Sequence, residues 1–392
     1  MKNTHLEHLE DNILNDGSRG GREAIAFLRS LGEMLDRGAA DTRVTVKWDG
    51  APAIICGIDP SNGKFFVGTK SVFNKVTPKI CYSEQDVDKL YPSGQLGDKL
   101  KTSYRHLSKL PISGVVQGDL LFTDDKYFAN IDGENCIAFT PNTITYAVPQ
   151  DSSLGQRIAA AKMGIVFHTT YSGRTLSTMS ALFGANVRGN NDVFVASAEF
   201  SNASGEANMS PSEKGAYQAL VNRAEGSLKQ ASRFLDMMKG EDKFSLNYMF
   251  KIFFNQFVRQ GKSSMTVKAT AMDFASYFSS ALDKEIATKK TKAAQDKYLQ
   301  IKTNGLKFIA SNETSLYMTV ASYYNLQAAK QFMISKLQKV NTFGTFLKTD
   351  NGYRVTAPEG FVAIRSGRAL KLVDRLEFSR ANFTAAKNWD KQ

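Results

Sequence analysis

The chain has 392 residues, 50 of them Lys or Arg against 38 Asp or Glu, for a formal net charge of +12 and a hydrophobic share of 42%. That length carries one large core or two moderate ones, and the composition excludes collagen-like and disordered classes. No apolar run reaches the roughly 20 residues that span a bilayer, and the polar start Met1-Lys2-Asn3-Thr4 lacks a signal-peptide pattern, so a cytoplasmic protein with no membrane partner is expected.

Glu7–Leu14 and Arg22–Arg37 have helical patterns, the second with Ala24, Phe27, Leu28, Leu31 and Leu35 at helical spacing and Gly38 as a stop. From Arg43 the period becomes that of strands: 44–47, 53–58 and 64–67, a meander broken by Asp49-Gly50-Ala51-Pro52 and Pro60-Ser61-Asn62-Gly63. Val44 and Val46 share one face, so the strand delivers Lys47 to the polar face at its end, where Asp49-Gly50 turns the chain. A lysine beside a carboxylate is a nucleophile if its charged form is disfavoured; a solvated lysine on an ordinary hairpin is the simpler alternative.

Lys70-Ser71 sits in a polar loop, and a charged helical stretch over 84–109 leads to a strand, 114–122, containing Gly118-Asp119. Further strands are expected at 142–149, with Tyr146, and at 162–173, with His168 near a hydroxyl-rich turn. Cys56, Cys81 and Cys136 have no Cys-x-x-Cys spacing, so neither a disulfide framework nor a zinc site is expected.

Between 210 and 339 the pattern is helical, with segments at 216–238, 245–260, 272–302 and 317–339, the last capped by Thr314 or Ser315. Lys and Arg outnumber Asp and Glu there by twenty to ten. A basic surface favours polyanions, nucleic acid first. Lys289, Lys290, Lys292, Arg259 and Lys262, with Tyr248, Phe250, Phe253 and Phe254 close by, could grip phosphates and stack bases; solvated helix faces and core aromatics are the alternative. After Gly344 strands return, and a hairpin carries Glu359-Gly360 on one strand and Lys371 on the next.

Lys47-Trp48-Asp49-Gly50, Glu359-Gly360-Phe361-Val362 and Leu370-Lys371-Leu372-Val373 occur in an order that resembles the motifs of the covalent nucleotidyltransferases. These are the ATP-dependent DNA and RNA ligases and the mRNA-capping guanylyltransferases. The resemblance covers residues 43 to about 150 and 353 to 375. It implies an α+β fold of antiparallel sheets with flanking helices, formed by residues 1–205 and 346–392 and interrupted by a basic helical insertion, 206–345.

It also implies a lysyl-AMP on Lys47, with Lys371 against the α-phosphate and nucleotide contacts from Asp49, Gly50, Lys70, Asp119, Tyr146 (or Phe139) and Glu359. Glu359 and Asp119 would hold Mg²⁺ or Mn²⁺, with ATP as AMP donor and Asp49 in reserve. The product is a sealed strand, made from a 5′-phosphate and a 3′-hydroxyl end.

Three departures matter. Asp119 is shorter than the family's usual glutamate, the helical insertion is foreign to it, and Pro52 stands where DNA ligases and capping enzymes carry arginine. Some bacteriophage RNA ligases also lack that arginine, and 374–392 is too short for the small C-terminal barrel of the other two groups. A monomeric RNA ligase is therefore expected, of a compactness that fits a viral source acting in the host cytoplasm. DNA or mixed-strand ligation, and a non-enzymatic basic nucleic-acid-binding protein, are the alternatives.

Overall fold

The computed structural model describes residues 7–37, 42–131, 133–197, 207–260, 266–340, 344–349, 352–355, 359–366 and 368–375. The chain enters through a short strand, β1 (Glu7–His8), and a long helix, α1 (Asn12–Arg37), broken at Asp16–Gly17. β2 (Thr42–Lys47), β3 (Ala53–Ile58) and β4 (Phe65–Gly68) follow, then a 3-10 turn at Lys70–Phe73. Helices α2 (Glu84–Leu90) and α3 (Gln95–Leu107) lead to β5 (Val115–Phe122).

β6 (Tyr127–Ile131), β7 (Glu134–Phe139), β8 (Ile144–Pro149), α4 (Ser153–Ala160), β9 (Met163–Ser172), β10 (Ser180–Phe183) and β11 (Val193–Ala196) complete the middle of the chain. Five helices come next: α5 (Pro211–Met237), α6 (Leu246–Gln260), α7 (Val267–Ala287), α8 (Lys292–Ser311) and α9 (Glu313–Leu337). β12 (Gly344–Thr349), β13 (Gly352–Val355), β14 (Gly360–Arg365) and β15 (Arg368–Leu372) close the described chain.

The fold is α+β, and its described strands form three open sheets: β1-β15-β14-β2, β10-β9-β5-β3-β4 with β11 also on β9, and β13-β12-β8-β7-β6. Among the described residues no helix is long and apolar enough to cross a membrane. Each break from the expected elements has a structural cause. The helix expected from Glu7 begins only at Asn12, because Glu7 and His8 pair in parallel with Leu370 and Lys371. Residues 84–109 form two helices, parted where Pro92 leads into Gly94 with a positive φ. Residues 272–302 also split, at 288–291, where Thr291 caps α8. α9 begins at Glu313, ahead of the expected cap.

The largest core joins parts of the chain that the sequence pattern separates. Phe27, Leu28 and Leu31 of α1 pack with α5, α6, α7 and α9, and with Val44, Phe361, Ala363, Leu370 and Leu372 on one face of the β1-β15-β14-β2 sheet. The helical segment thus covers that sheet and shares its core. α8 is peripheral, with Ile309 its one buried residue.

A polar network ties the entering chain into this core. Lys330 of α9 meets Glu10 at 2.7 Å with both side chains almost fully buried. Arg375 donates to Asp11 at 2.9 Å and to the Tyr323 hydroxyl at 2.7 Å, and also reaches Asn255. Removing one member of a buried ion pair strands the other charge, which costs about 3–5 kcal/mol. Lys330→Met is therefore expected to lower stability by about that amount, and Glu10→Leu added to it to restore most of the loss, both read from urea unfolding.

Candidate functional site

β2 is an edge strand paired antiparallel with β14, Lys47 opposite Gly360 and Thr45 opposite Val362. β14 pairs in turn with β15, Val362 opposite Lys371. Opposed residues share a face. Lys47, Val362 and Lys371 therefore lie on the face away from the helices, while Val44, Phe361 and Leu372 enter the core beneath.

Glu359 precedes Gly360, and its carboxylate accepts a hydrogen bond from Lys47 Nζ. The reason for Glu-Gly here is steric. Gly360 has φ +148°, and a Cβ on it would lie 2.4 Å from the Leu372 carbonyl oxygen, so only glycine lets β14 approach β15 this closely.

The turn after Lys47 is fixed from two sides. Asp49 is 5% exposed, and its carboxylate accepts from Asn142 Nδ2 at 2.8 Å, Thr143 N at 2.7 Å and Ile144 N at 2.9 Å. Ala51 N donates to the Leu120 carbonyl at 2.9 Å, and Leu120 N to that of Pro52 at 3.1 Å. Gly50 packs so closely on β5 that a Cβ would stand 2.7 Å from Asp119 Cβ. This brings Asp119 into the site, where it joins Glu359 in raising the Lys47 amine.

His168 belongs here as well. β9 bulges against β5 between the Gln117–Thr169 and Gly118–Phe167 pairs, leaving His168 unpaired in the ladder. A bulge re-aims a side chain, and His168 Nε2 stands 3.4 Å from Asp119 Oδ2, with Nδ1 2.8 Å from Thr169 Oγ1.

The charges pull against burial. Burial disfavours the Lys47 ammonium, but the Glu359 carboxylate outweighs it by attraction and hydrogen bonding, so the amine sits above the usual lysine range. A resting free amine is therefore not what the site holds, contrary to what a ready nucleophile requires. Burial raises the Glu359 carboxyl despite the lowering effect of Lys47. Lys371 is lowered, by burial and then by Lys47.

Other expected residues take different places. Tyr146 is 3% exposed, its ring lying between Trp48, with centroids 4.8 Å apart, and Phe139, at 5.5 Å. Its hydroxyl accepts from Asp49 N at 2.7 Å. Tyr146 and Phe139 are thus core supports of the turn, without a face for a purine. The half-buried aromatic pair Phe73 and Tyr171, 4.6 Å apart, was not singled out by pattern, and Tyr171 shares the Asp119 face of the middle sheet.

Lys70 is exposed at the start of the 3-10 turn. Phe250, Phe253 and Phe254 are buried and close no base-stacking surface, whereas Tyr248 is exposed. Lys289 pairs with Glu285 at 2.6 Å, while Lys290 and Lys292 are exposed beside it. Arg259 lies at the end of α6 next to the start of α7, and Lys262 falls outside the described residues. Lys289 follows the far end of α7, and a 21-residue helix is about 31 Å long, so Arg259 and Lys289 do not form one patch.

No group of three or more His, Cys, Asp and Glu among the described residues makes a metal cage. Glu359 and Asp119 suit a hard cation of the magnesium kind, which binds through one or two carboxylates with phosphate oxygens completing its shell.

A family model described as a family of unknown function, DUF6267, matches residues 3–387. The chain belongs to that family. The DUF6267 match takes in both lysine-bearing strands and the helical segment. No curated protein and no solved structure matches the chain.

The Asp49 carboxylate is spent on the turn. Asp49→Ala leaves two backbone N–H groups unpaired, that of Ile144 buried and that of Thr143 half-buried, so a loss of about 3 kcal/mol in urea unfolding is expected, and a smaller one for Asp49→Asn, which keeps one acceptor oxygen.

Proposed function

We propose that this protein is an ATP-dependent polynucleotide ligase, with RNA the favoured strand, that works through a lysyl-AMP on Lys47. The observation that carries the reading is the meeting of Lys47 with Glu359, 312 positions apart, on a sheet face that also bears Lys371. The Pro52 departure supports RNA over DNA.

In the first step the Lys47 nitrogen forms a bond to the α-phosphorus of ATP. The bond to the bridging oxygen breaks, and pyrophosphate leaves with the electron pair while the amine loses a proton to solvent. The chain's part is positioning and charge. Gly360 and the Asp49 anchor fix where Lys47 stands, and Lys371 offsets phosphate charge as it builds. A divalent ion held by Glu359 and Asp119 would supply further neutralisation. AMP then passes to a 5′-phosphate end, and a 3′-hydroxyl displaces it.

Exposed Lys290, Lys292 and Lys297 at the α7–α8 turn are the cations we assign to the strand. Replacing all three with alanine is expected to reduce the slope of log affinity for RNA against log salt by about 2, at roughly 0.7 per contact on a single strand.

Incubation with magnesium and ATP labelled at the α-phosphate tests the chemistry. Wild type is expected to carry acid-labile, alkali-stable label, Lys47→Ala none, and Glu359→Ala and Lys371→Ala about a hundredth or less. Because Glu359 holds the amine protonated, the initial rate is expected to rise with pH, by about tenfold per unit from 6.5 to 8.5. Folded protein free of prior adenylate that takes no label from ATP or GTP would sink the reading. Offering 5′-phosphorylated RNA and DNA then decides the strand.

A further inference from the structure

β1 adds to the lysine-bearing sheet in parallel, His8 opposite Lys371, and Leu9 N donates to the Lys371 carbonyl at 3.2 Å. Neighbouring strands lie about 4.8 Å apart, so the imidazole stands beside Lys371 on the polar face while Leu9 enters the core.

The side chain of His8 has no hydrogen-bond partner among the described residues, and its Nδ1 is buried. Buried polar nitrogens are nearly always satisfied, so one left open asks for a reason. His168 has Thr169 and Asp119; the Nδ1 of His106 is likewise buried without a hydrogen bond, but a carboxylate, that of Asp192, faces it at 3.5 Å. Burial first, and then the cations around His8, Arg375 beyond β15, Lys330 of α9, Lys371 and Lys47 of β2, keep the imidazole neutral.

The neighbouring carboxylates are already committed. Glu359 pairs with Lys47, Glu10 with Lys330 and Asp11 with Arg375. Lys371 has no ion-pair partner among the described residues. Among the described residues the charges beside His8 are thus cations or carboxylates already paired, Glu7 with Lys251 included, and an anion with several charges would satisfy Lys371 and the imidazole together. His8 and Lys371 are cross-strand neighbours, and Lys47 lies on the same face beyond β14, two residues further along β2 than their row. A phosphate chain starting at Lys47 and running past Lys371 ends at His8.

We propose that His8 is a ligand for the β- and γ-phosphates of the bound nucleoside triphosphate. The inference rests on the lysyl-AMP reading above and adds a residue that no motif of that reading includes. Polyphosphate binding would let the imidazole take up a proton and donate to a phosphate oxygen. The same chemistry belongs to the terminal phosphate of a polynucleotide, so the test separates the two sources.

Calorimetry of the full chain at pH 7.5, in two buffers of different ionisation enthalpy, uses three ligands. These are the α,β-methylene analogue of ATP, which cannot lose pyrophosphate, AMP, and a 5′-phosphorylated oligonucleotide. Wild type is expected to take up most of one proton with the analogue and none with AMP. His8→Asn is expected to weaken the analogue about tenfold or more, to abolish its proton uptake, and to leave AMP within twofold. His8→Gln should behave likewise, and AMP binding shows that each variant is folded.

Unchanged analogue affinity in both variants would overturn the assignment, as would a wild type that takes up no proton. So would a loss confined to the oligonucleotide, which would give His8 to the strand end instead. If neither analogue nor AMP binds wild type, the nucleotide reading falls and this inference with it.

Discussion

One contact, between the Lys47 ammonium and the Glu359 carboxylate, fixes more of this structure than its energy suggests. A largely buried ion pair adds little net stability, because desolvation consumes much of the attraction. Its value is in register. A one-residue slip of β2 against β14 would turn Lys47 into the apolar core and bring Val46 out, and both the pair and the core forbid it. Gly360 permits the close approach that sets the pair, and the Asp49 carboxylate stops the turn after Lys47 from moving away.

Beneath that sheet the helices are a foundation. α1 and α5 to α9 cover its apolar face, while the middle sheet, carrying Asp119 and His168, comes to the site through the Gly50 turn. The site thus lies where two layers meet, one face shaped by backbone turns and the other by strand pairing. The buried network of Glu10, Asp11, Tyr323, Lys330 and Arg375 belongs to the same construction. It holds the entering chain against α9 and the end of β15, and thereby sets where β1 lies.

Strand periodicity is visible around Lys47, because Val44 and Val46 alternate with polar neighbours over a half-buried sheet, while Phe361 stands in a short apolar run after Glu359-Gly360. The change of period near 210 and its return near 344 mark out the helical segment, whereas the α+β class follows from the motif resemblance. Less was visible in the middle. β6 and β7 have no clear signature, because a short strand such as Tyr127–Ile131 carries little periodic signal.

The start of α5 is legible in the sequence. Ser210 and Glu213 bond reciprocally as a capping box, with Pro211 at the first turn. Tyr146 shows the converse limit, since an aromatic on a strand gives the same pattern whether it faces a ligand or, as here, Trp48 and Phe139. His8 could not have been found from its neighbours, because its position is decided by a strand more than 360 residues away. His168 required a bulge that no local residue announces.

The order of the chain gives the Lys47–Glu359 separation a consequence in time. A ribosome adds about 5–20 residues per second, so tens of seconds pass between the appearance of β2 and that of β14. Throughout that interval the edge of β2 has no strand to pair with, and the apolar side of the sheet has only helices to meet. Closure then occurs over one of the longest loops the chain can form, a topology that slows folding. Lys47 acquires its carboxylate, its second lysine and its histidine neighbour only after synthesis has reached β15, so a truncated chain carries Lys47 without the charged surroundings of the complete sheet.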